Sequence, residues 1–236
     1  MNEIISCYGL TKRYDNGHTA IDNLTINLNA GRIIGLLGPN GSGKTTLIKM
    51  LCGLLTPTSG TLTIDGIPVG ATTKSIVSYL PDQTYLNNWM NMHQIIEYFA
   101  DFYRDFDTQR AYSMLASLAI NPSDKLGTLS KGTREKVQLI LVMSRHARLY
   151  LLDEPIAGVD PAARDYILNT IFTNYDPGAT ILISTHLIAD IEKVLHEAVF
   201  LQNGHIALYD SVENIRTREG KSVDELFREV YRCWAN

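Results

Sequence analysis

Cysteine is scarce in this 236-residue chain, and no long apolar run is present. The three cysteines, Cys7, Cys52 and Cys233, are odd in number and far apart, which predicts free thiols in a reducing compartment rather than a disulfide framework. No stretch approaches the roughly 18 apolar residues of a spanning helix, and residues 1–4 lack the basic-then-apolar layout of a signal peptide. We therefore expect a cytoplasmic chain that does not cross a membrane by itself.

An excess of basic residues is also missing. The 21 Lys and Arg residues are outnumbered by 25 Asp and Glu residues, and the formal net charge is −4. Nucleic-acid-binding domains usually carry a basic stripe, so we expect neither DNA nor RNA as a partner. The histidines show no metal-ligand spacing. With 45% apolar and 19% charged residues the chain is typical of a globular protein, and its length allows one large domain or two modest ones.

A glycine-rich loop stands between an apolar strand, 33–37, and an amphipathic helix that includes residues 47–51. Glycines let successive backbone N–H groups curl round phosphates, and the N-terminus of the next helix attracts the same anion. Lys44 would neutralise the outer phosphates, and Thr45 would hold a bridging magnesium ion. We therefore predict a nucleoside triphosphate site formed by Gly38, Pro39, Asn40, Gly41, Ser42, Gly43, Lys44, Thr45 and Thr46.

A second apolar strand, 149–152, ends in two adjacent carboxylates, Asp153 and Glu154. Open α/β sheets bind ligands at the carboxyl ends of their strands, where Asp153 can hold magnesium. Glu154, one residue further on, can face an attacking water. An acidic turn after a strand, followed by a helix cap, is the alternative for this segment alone. Its pairing with the glycine-rich loop favours the nucleotide site.

Strand patterns dominate residues 4–37. Residues 21–28 alternate apolar and polar side chains, and a turn follows at 29–31. A second alternating patch, 60–69, is interrupted by Asp65-Gly66, which is a strong hairpin signal. We expect this patch to join the same antiparallel layer.

Helical and strand patterns alternate in the rest of the chain. Residues 89–118 carry an apolar stripe at helical spacing, which predicts an inserted helical subdomain. The alternation that follows implies a parallel sheet. The predicted elements are a helix from after Thr133 to about Ala147, the strand 149–152, a helix near 165–172, a strand at 180–183, a hairpin turned by Asn203-Gly204, and a polar terminal helix from about Val223.

The segment Leu129-Ser130-Lys131-Gly132-Thr133 lies between the two nucleotide motifs, about twenty residues before Asp153. Together with those motifs it resembles the nucleotide-binding subunits of ATP-binding cassette (ABC) transporters, whose signature is usually Leu-Ser-Gly-Gly-Gln. Ser130 and Gly132 occupy the positions that grip a second phosphate in that family, and Lys131 and Thr133 depart from the pattern. A plain helix cap at Ser130 is the alternative.

The same resemblance extends to four further positions. Ala157-Gly158-Val159-Asp160 resembles the D-loop, in which Asp160 communicates between subunits. His186 is similar to the switch histidine that contacts the γ-phosphate and the attacking water, and Tyr14 has the place of the ring that stacks on adenine. In Pro81-Asp82-Gln83 the Q-loop residue that reaches magnesium or water is either Asp82 or Gln83, and we favour Gln83.

The resemblance implies one ABC ATPase domain over residues 1–236, an α/β P-loop fold with a parallel sheet and an antiparallel β-subdomain. Residues 1–82 and 149–210 would form the β-rich, RecA-like core. Residues of about 83–148 would form the helical subdomain with the signature, and 211–236 a C-terminal tail. The ligands implied are ATP and Mg²⁺, with Thr45, Gln83 and Asp153 at the metal and Lys44, Gln83, Glu154 and His186 as catalytic residues.

The resemblance also implies partners. Two copies, or one copy and a related subunit, would sandwich two ATP molecules, and hydrolysis would release them. The aromatic stretch 89–106 lies where family members receive a coupling helix, so a separately encoded membrane permease is implied, holding the chain at the inner face of the cell membrane. The same stripe could instead be the subdomain's own core. The signature lysine and the short C-terminal extension most resemble ABC-2-type exporter ATPases.

Two other functions stay open. Soluble ABC ATPases that act on ribosomes or DNA share the nucleotide motifs, but they usually add a second cassette, a long coiled coil or zinc-binding cysteines, none of which is found in this sequence. A regulatory module that senses ATP without hydrolysing it is the second alternative. Glu154 and His186 argue against that module, whereas the altered signature favours it.

Overall fold

The computed structural model describes residues 2–232, and the alternating sequence patterns become two sheets flanked by helices. The ten strands in these residues are β1 (Glu3–Arg13), β2 (Thr19–Asn29), β3 (Ile33–Leu37), β4 (Ser59–Ile64), β5 (Ile67–Pro68), β6 (Val77–Leu80), β7 (Leu149–Asp153), β8 (Thr180–Thr185), β9 (Glu197–Gln202) and β10 (His205–Ser211).

The helices of the described residues separate these strands. They are α1 (Lys44–Leu51), α2 (Ala71–Lys74), α3 (Met92–Phe102), α4 (Thr108–Ser117), α5 (Lys131–Met143), α6 (Pro161–Asn174), α7 (Ile188–Ile191), α8 (Val212–Glu219) and α9 (Val223–Arg232), with a 3₁₀ turn at Leu126–Thr128. None of the helices described is long and apolar enough to span a bilayer.

The first sheet is antiparallel and has the strand order β2-β1-β4-β5. It contains the patch that was predicted to join this layer, and Asp65-Gly66 turns the β4–β5 hairpin with both residues at positive φ. The second sheet has the order β10-β9-β3-β8-β7-β6. Its strands are parallel except for β10, which pairs with β9 through the predicted turn at Asn203-Gly204.

The central strands of the second sheet are apolar on both faces. Every residue of β3, β7 and β8 is buried, as expected for parallel strands covered by helices. One hydrophobic cluster joins this sheet to the helical region, and a second joins it to the antiparallel sheet. The predicted α/β fold with a parallel sheet, an antiparallel layer and a helical insertion is therefore confirmed.

Polar side chains mark the beginnings of the longer helices. Asn91 caps α3, Asp107 caps α4, Ser130 caps α5 and Asp160 caps α6, and each side chain accepts a hydrogen bond from a backbone N–H of the first turn. Helix α5 therefore begins inside the signature segment, at Lys131, and α6 begins directly after the D-loop, at Pro161.

The helix predicted to run to about Ala147 ends earlier, at Met143. The reason is Arg145, whose buried guanidinium donates to the carbonyl oxygens of Lys74, Ser75 and Val77 and pairs with Asp105. These bonds hold Arg145 against the start of β6, so the chain leaves the helix. The helix predicted near 165–172 is longer than expected because Asp160 caps it, with Pro161 in its first turn.

The C-terminal part contains α8, which the sequence analysis did not predict, and α9, which begins at the expected Val223. The Glu192 carboxylate accepts hydrogen bonds from the Val223 and Asp224 backbone N–H groups and from Arg216. Cys7 and Cys52 are free thiols, as predicted, and both are buried. Burial raises the pKa of the Cys7 thiol to about 12. The predicted free thiol Cys233 lies outside the described residues.

Candidate functional site

The glycine-rich loop connects β3 to α1 in a conformation that requires glycine. Gly43 has φ = 109°, and a Cβ there would lie 2.5 Å from the Ala20 carbonyl oxygen. A Cβ on Gly38 would lie 2.4 Å from the Leu201 carbonyl oxygen. Both approaches are far too close for a side chain, so glycine at these positions allows the loop to pass close to β2 and β9. The loop thus presents the first turn of α1 at the carboxyl edge of the parallel sheet.

Lys44 is almost completely buried although it is charged, with 5% of its surface exposed. Its ammonium group donates to the carbonyl oxygens of Gly38 at 2.8 Å and Pro39 at 3.2 Å, and it lies 3.4 Å from Glu154 Oε1. A buried ammonium group needs such partners because the protein interior solvates it poorly. The loop carbonyls and the carboxylate of the acidic strand therefore hold the lysine inside the loop.

Asp153 is fully buried at the end of β7. Its Oδ1 accepts hydrogen bonds from Ser184 Oγ at 2.7 Å and Thr45 Oγ1 at 3.2 Å, whereas its Oδ2 has no hydrogen-bond partner among the described residues. Burial raises the pKa of this carboxyl above its ordinary value, and the bonds from Ser184 and Thr45 oppose that shift only in part. A buried carboxylate oxygen without a partner is suited to a cation.

Glu154, the residue after Asp153, has a strained backbone conformation with φ = 50°. A non-glycine residue in the left-handed region costs roughly 1–3 kcal/mol, and such strain is found at functional sites. Its backbone N–H donates to Ser184 Oγ at 2.9 Å and to the Ser184 carbonyl at 3.1 Å. Its Oε2 lies 3.0 Å from His186 Nδ1. The backbone turn thus places the carboxylate between the ammonium group of Lys44 and the ring of His186.

A cleft of about 520 Å³ opens over these groups. The first turn of α1, Tyr14, Glu154 and His186 are among the residues that line it. The Tyr14 hydroxyl lies 3.2 Å from Thr46 Oγ1. Asp82 and Gln83 both border the cleft, so either can serve as the Q-loop residue.

Seven predicted residues are not on the walls of this cleft within the described chain. Gly38, Pro39, Ser42 and Asp153 are next to or bonded to residues that line it, whereas Ser130, Gly132 and Asp160 are not. Ser130 is exposed and caps α5, its Oγ accepting from the Thr133 backbone N–H at 3.1 Å. Asp160 caps α6 in the same way, through the Ala163 N–H at 3.0 Å. Gly132 is exposed in the first turn of α5. The capping role that was the alternative for Ser130 is thus present in the monomer.

Two residues of the site were missed by the sequence analysis. Ser184 binds both Asp153 and the backbone of Glu154, and it is paired with Asp153 in the β7–β8 register. Its position at a parallel strand end, two residues before His186, was a usable signal. His18 borders the cleft, and its ring is parallel to that of Tyr14 with centroids 6.5 Å apart. Nothing in the sequence distinguished His18 from other turn residues.

A second cleft, of about 610 Å³, lies on the other side of the Q-loop segment. Asp82 and Gln83 border this cleft as well, so the segment is a wall shared with the nucleotide cleft. The other walls combine apolar, aromatic and basic side chains, among them Lys49, Leu54, Lys74, Tyr79, Phe99, Tyr103 and Arg145.

The strand, glycine-rich loop and helix, together with the acidic strand end, define a P-loop nucleotide-binding ATPase. Residues 21–157, more than half of the chain, match the ABC transporter family model. The chain therefore belongs to the ABC transporter family, as one of its ATP-binding subunits.

Individual relatives agree with this assignment. The SkfA peptide export ATP-binding protein SkfE of Bacillus subtilis (strain 168) is 30% identical over 210 residues, which cover 86% of this chain and 87% of that protein. The lipopolysaccharide export system ATP-binding protein LptB of Escherichia coli (strain K12) is 28% identical over 238 residues, covering 96% of both chains.

A solved structure, described as that of an ATP-binding subunit of an ABC transporter, superimposes with a TM-score of 0.85 at 26% identity. The superposition covers 96% of this chain and 99% of the other. The predicted family and fold are therefore confirmed. As a member of this family the chain is an ATPase coupled to transport, and the predicted triphosphate ligand is ATP.

Proposed function

We propose that this chain powers a membrane exporter by binding ATP between two subunits and hydrolysing it. The observation that carries the proposal is the position of Glu154, which is held between Lys44 and His186 at the mouth of the phosphate loop. A carboxylate at this position can orient or deprotonate a water molecule that attacks the γ-phosphate. SkfE and LptB are both named as export proteins, which supports export as the direction of transport.

Each residue of the cleft then has a role. Lys44 exchanges its carbonyl and carboxylate partners for the outer phosphates and stabilises the charge that develops there. The backbone N–H groups at the start of α1 bind the remaining phosphate oxygens. Tyr14 stacks on the adenine, which is worth roughly 1 kcal/mol. His186 holds Glu154 in place and faces the γ-phosphate.

The residues beside the loop fit a magnesium ion. Thr45 and Asp153 offer a hydroxyl and a carboxylate 3.2 Å apart, and Asp153 Oδ2 lacks any hydrogen-bond partner in the described residues. Hard oxygen ligands of this kind are those that magnesium prefers. Either Asp82 or Gln83 can add a further oxygen, and we favour Gln83. When bound, the ion neutralises charge on the β- and γ-phosphates.

The second subunit supplies the signature. Ser130 and Gly132 are exposed at the free N-terminus of α5, where unpaired N–H groups and the helix dipole attract an anion. Because these residues lie away from the cleft of their own chain, we propose that they bind the γ-phosphate held by the other subunit. Asp160, at the start of α6, lies on the proposed interface.

Ser130→Arg is expected to abolish hydrolysis and to leave ATP binding by the monomer unchanged. The arginine side chain would fill the space that the partner's phosphate needs, whereas the phosphate loop is untouched. Turnover and equilibrium ATP binding are the two measurements. The control is Ser123→Arg, which puts the same side chain on an exposed turn of the same region. Wild-type turnover in Ser130→Arg would remove the signature from the mechanism.

We further propose that the second cleft receives a cytoplasmic segment of a separately encoded permease, which holds the chain at the inner face of the membrane. Leu54, at the rim of this cleft, is 58% exposed. Phe102 on the neighbouring α3 is 67% exposed, although Met92, Ile95 and Phe99 of the same helix are buried. One face of the aromatic stretch is therefore core, and we propose that the exposed face contacts the partner.

Leu54→Gln is expected to reduce the amount of permease that copurifies with the chain from membranes at least severalfold. The ATPase rate of the isolated subunit should not change, because Leu54 does not border the nucleotide cleft. Tyr8→Gln is the matched control, since Tyr8 is an exposed residue on β1 of the antiparallel sheet and does not border the second cleft. Equal permease recovery with both variants would place the docking surface elsewhere.

The two alternatives make different predictions. A regulatory ATP sensor would bind ATP without turnover, and the pairing of Glu154 with Lys44 and His186 argues against it. A soluble ATPase of ribosomes or DNA would copurify with nucleic acid rather than with a membrane protein, and the net charge of −4 argues against that. Identification of the copurified partner separates all three functions.

A further inference from the structure

Gln138 is a polar side chain buried in the middle of α5, with 3% of its surface exposed. Its Oε1 accepts a hydrogen bond from the Tyr85 backbone N–H, and its Nε2 donates to the Pro81 carbonyl oxygen, both at 3.4 Å. Within the described chain, both hydrogen bonds of this amide go to that one segment. The amide therefore spans the two ends of the loop in which Asp82, Gln83 and Thr84 stand.

The loop that Gln138 spans is the wall between the two clefts. Asp82 and Gln83 border the nucleotide cleft on one side and the proposed permease cleft on the other. Gln138 also borders a small cavity of about 50 Å³ together with Asp82 and Glu154. Gln138 is therefore bonded to a loop whose residues border the nucleotide cleft.

Gln138 stands eight residues after Ser130, on the same helix. Eight residues of α-helix extend about 12 Å, so a rigid α5 links the signature serine at its N-terminus to the loop. The bond between Ser78 Oγ and the Val142 carbonyl, 2.9 Å, joins α5 to β6 near the other end of the helix. The helix is thus bonded to the loop through Gln138 and, separately, to the sheet through the Val142 carbonyl.

We infer that Gln138 is a positioning residue for hydrolysis, because its amide fixes the position of the Asp82-Gln83 loop relative to α5. The loop side chain then reaches the metal and the water only when α5 is correctly placed. The inference rests on the proposed function of the cleft. Gln138 touches neither nucleotide nor water, and its effect is exerted through the loop. An amide is required because one end must accept a hydrogen bond and the other must donate one.

Gln138→Met keeps the length and volume of the side chain and removes both hydrogen bonds. We expect kcat to fall about 10- to 100-fold, since a misplacement of about 1 Å at a reacting centre has an effect of that size. Affinity for a non-hydrolysable ATP analogue should stay within about twofold, because the phosphate loop dominates binding. The Mg²⁺ concentration for half-maximal turnover should rise. Wild-type kcat and Mg²⁺ dependence in this variant would overturn the inference.

Gln138→Glu separates positioning from packing. A protonated glutamate has the same donor and acceptor pattern as glutamine, whereas the ionised form cannot donate to the Pro81 carbonyl. The rate of this variant relative to wild type should therefore rise as the pH falls. A ratio that does not change with pH would contradict the inference, even if Gln138→Met folds poorly.

Ser78→Ala is the matched control, because it removes the hydrogen bond between β6 and α5 without touching the loop. We expect it to lower thermal stability and to leave kcat and the Mg²⁺ dependence unchanged. An equal kinetic defect in Ser78→Ala would mean that any loosening of α5 has this effect, and would overturn the specific role of Gln138. If the wild-type subunit itself hydrolyses no ATP, the proposed function fails together with this inference.

Discussion

Lys44→Ala is expected to weaken ATP binding at least about 100-fold and to abolish hydrolysis. A hydrogen bond to a charged group contributes roughly 1.5–3 kcal/mol, and the ammonium group can make two such bonds to the outer phosphates, so a loss of this size follows. The loss should appear both in equilibrium binding and in turnover, because the same charge stabilises the bound nucleotide and the transition state.

The structure explains why no other residue replaces Lys44. Its ammonium group is already inside the loop, bonded to the Gly38 and Pro39 carbonyl oxygens and 3.4 Å from Glu154. Without it, the Glu154 carboxylate would face the phosphates with no intervening positive charge, and like charges would repel.

Calorimetric titration with ATP measures this effect. Lys49→Ala is the control, since Lys49 stands in the last turn of the same helix and borders the second cleft instead. It removes an equal charge from α1 and should leave the affinity for ATP unchanged. An unaltered dissociation constant in Lys44→Ala would refute the assignment of the phosphate loop.

Glu154→Gln should lower turnover by about 100-fold or more, the range that a general base contributes, and should retain ATP. Glutamine has nearly the same shape, so the strained backbone at φ = 50° and its bonds to Ser184 are kept. The substitution removes the negative charge that we propose orients the water. Because the substitution also removes the carboxylate that pairs with Lys44, the lysine is free for phosphate, and the affinity for ATP should be equal or higher.

In the proposed sandwich, a variant that binds ATP but does not cleave it keeps the γ-phosphate that would join the two subunits. Glu154→Gln is therefore expected to accumulate as a dimer in ATP and Mg²⁺, whereas the wild type returns to monomer as it hydrolyses. Size-exclusion chromatography in the presence of nucleotide distinguishes the two states. Glu213→Gln, which changes a carboxylate of the first turn of α8, is the control for the change in charge. An exclusively monomeric Glu154→Gln would count strongly against the sandwich.

The nucleotide site could be predicted because its signals are local. The phosphate loop needs glycines at fixed positions and a strand and helix on either side, all of which are contiguous in the chain. Asp153 and Glu154 follow an apolar run whose end must lie at the sheet edge. His186 was found for the same reason, at the end of β8. The location of these residues at the carboxyl edge of the sheet follows from the apolar strand that precedes each of them.

Other features depended on residues that are distant in sequence. Met143 ends α5 because Arg145 binds carbonyl oxygens about seventy residues away. Nothing near Gln138 indicated that its amide would bond to Pro81 and Tyr85. The place of Ser184 at a strand end was a usable signal, but its bonds to Asp153 and Glu154 depend on the β7–β8 register. The choice between Asp82 and Gln83 also stays open, since both side chains border the cleft.

The order of residues alone therefore determined the class of fold, the ligand and most of the residues that line the nucleotide cleft, because glycine conformation, strand burial and helix dipoles act over a few neighbouring positions. Packing decided which side chains meet across the sheet: the paired strand ends bring Ser184 to Asp153, and the turn at Glu154 brings its carboxylate between Lys44 and His186. Such contacts come from the register of parallel strands that are separated by long helical connections, and that register is set only when the whole core closes.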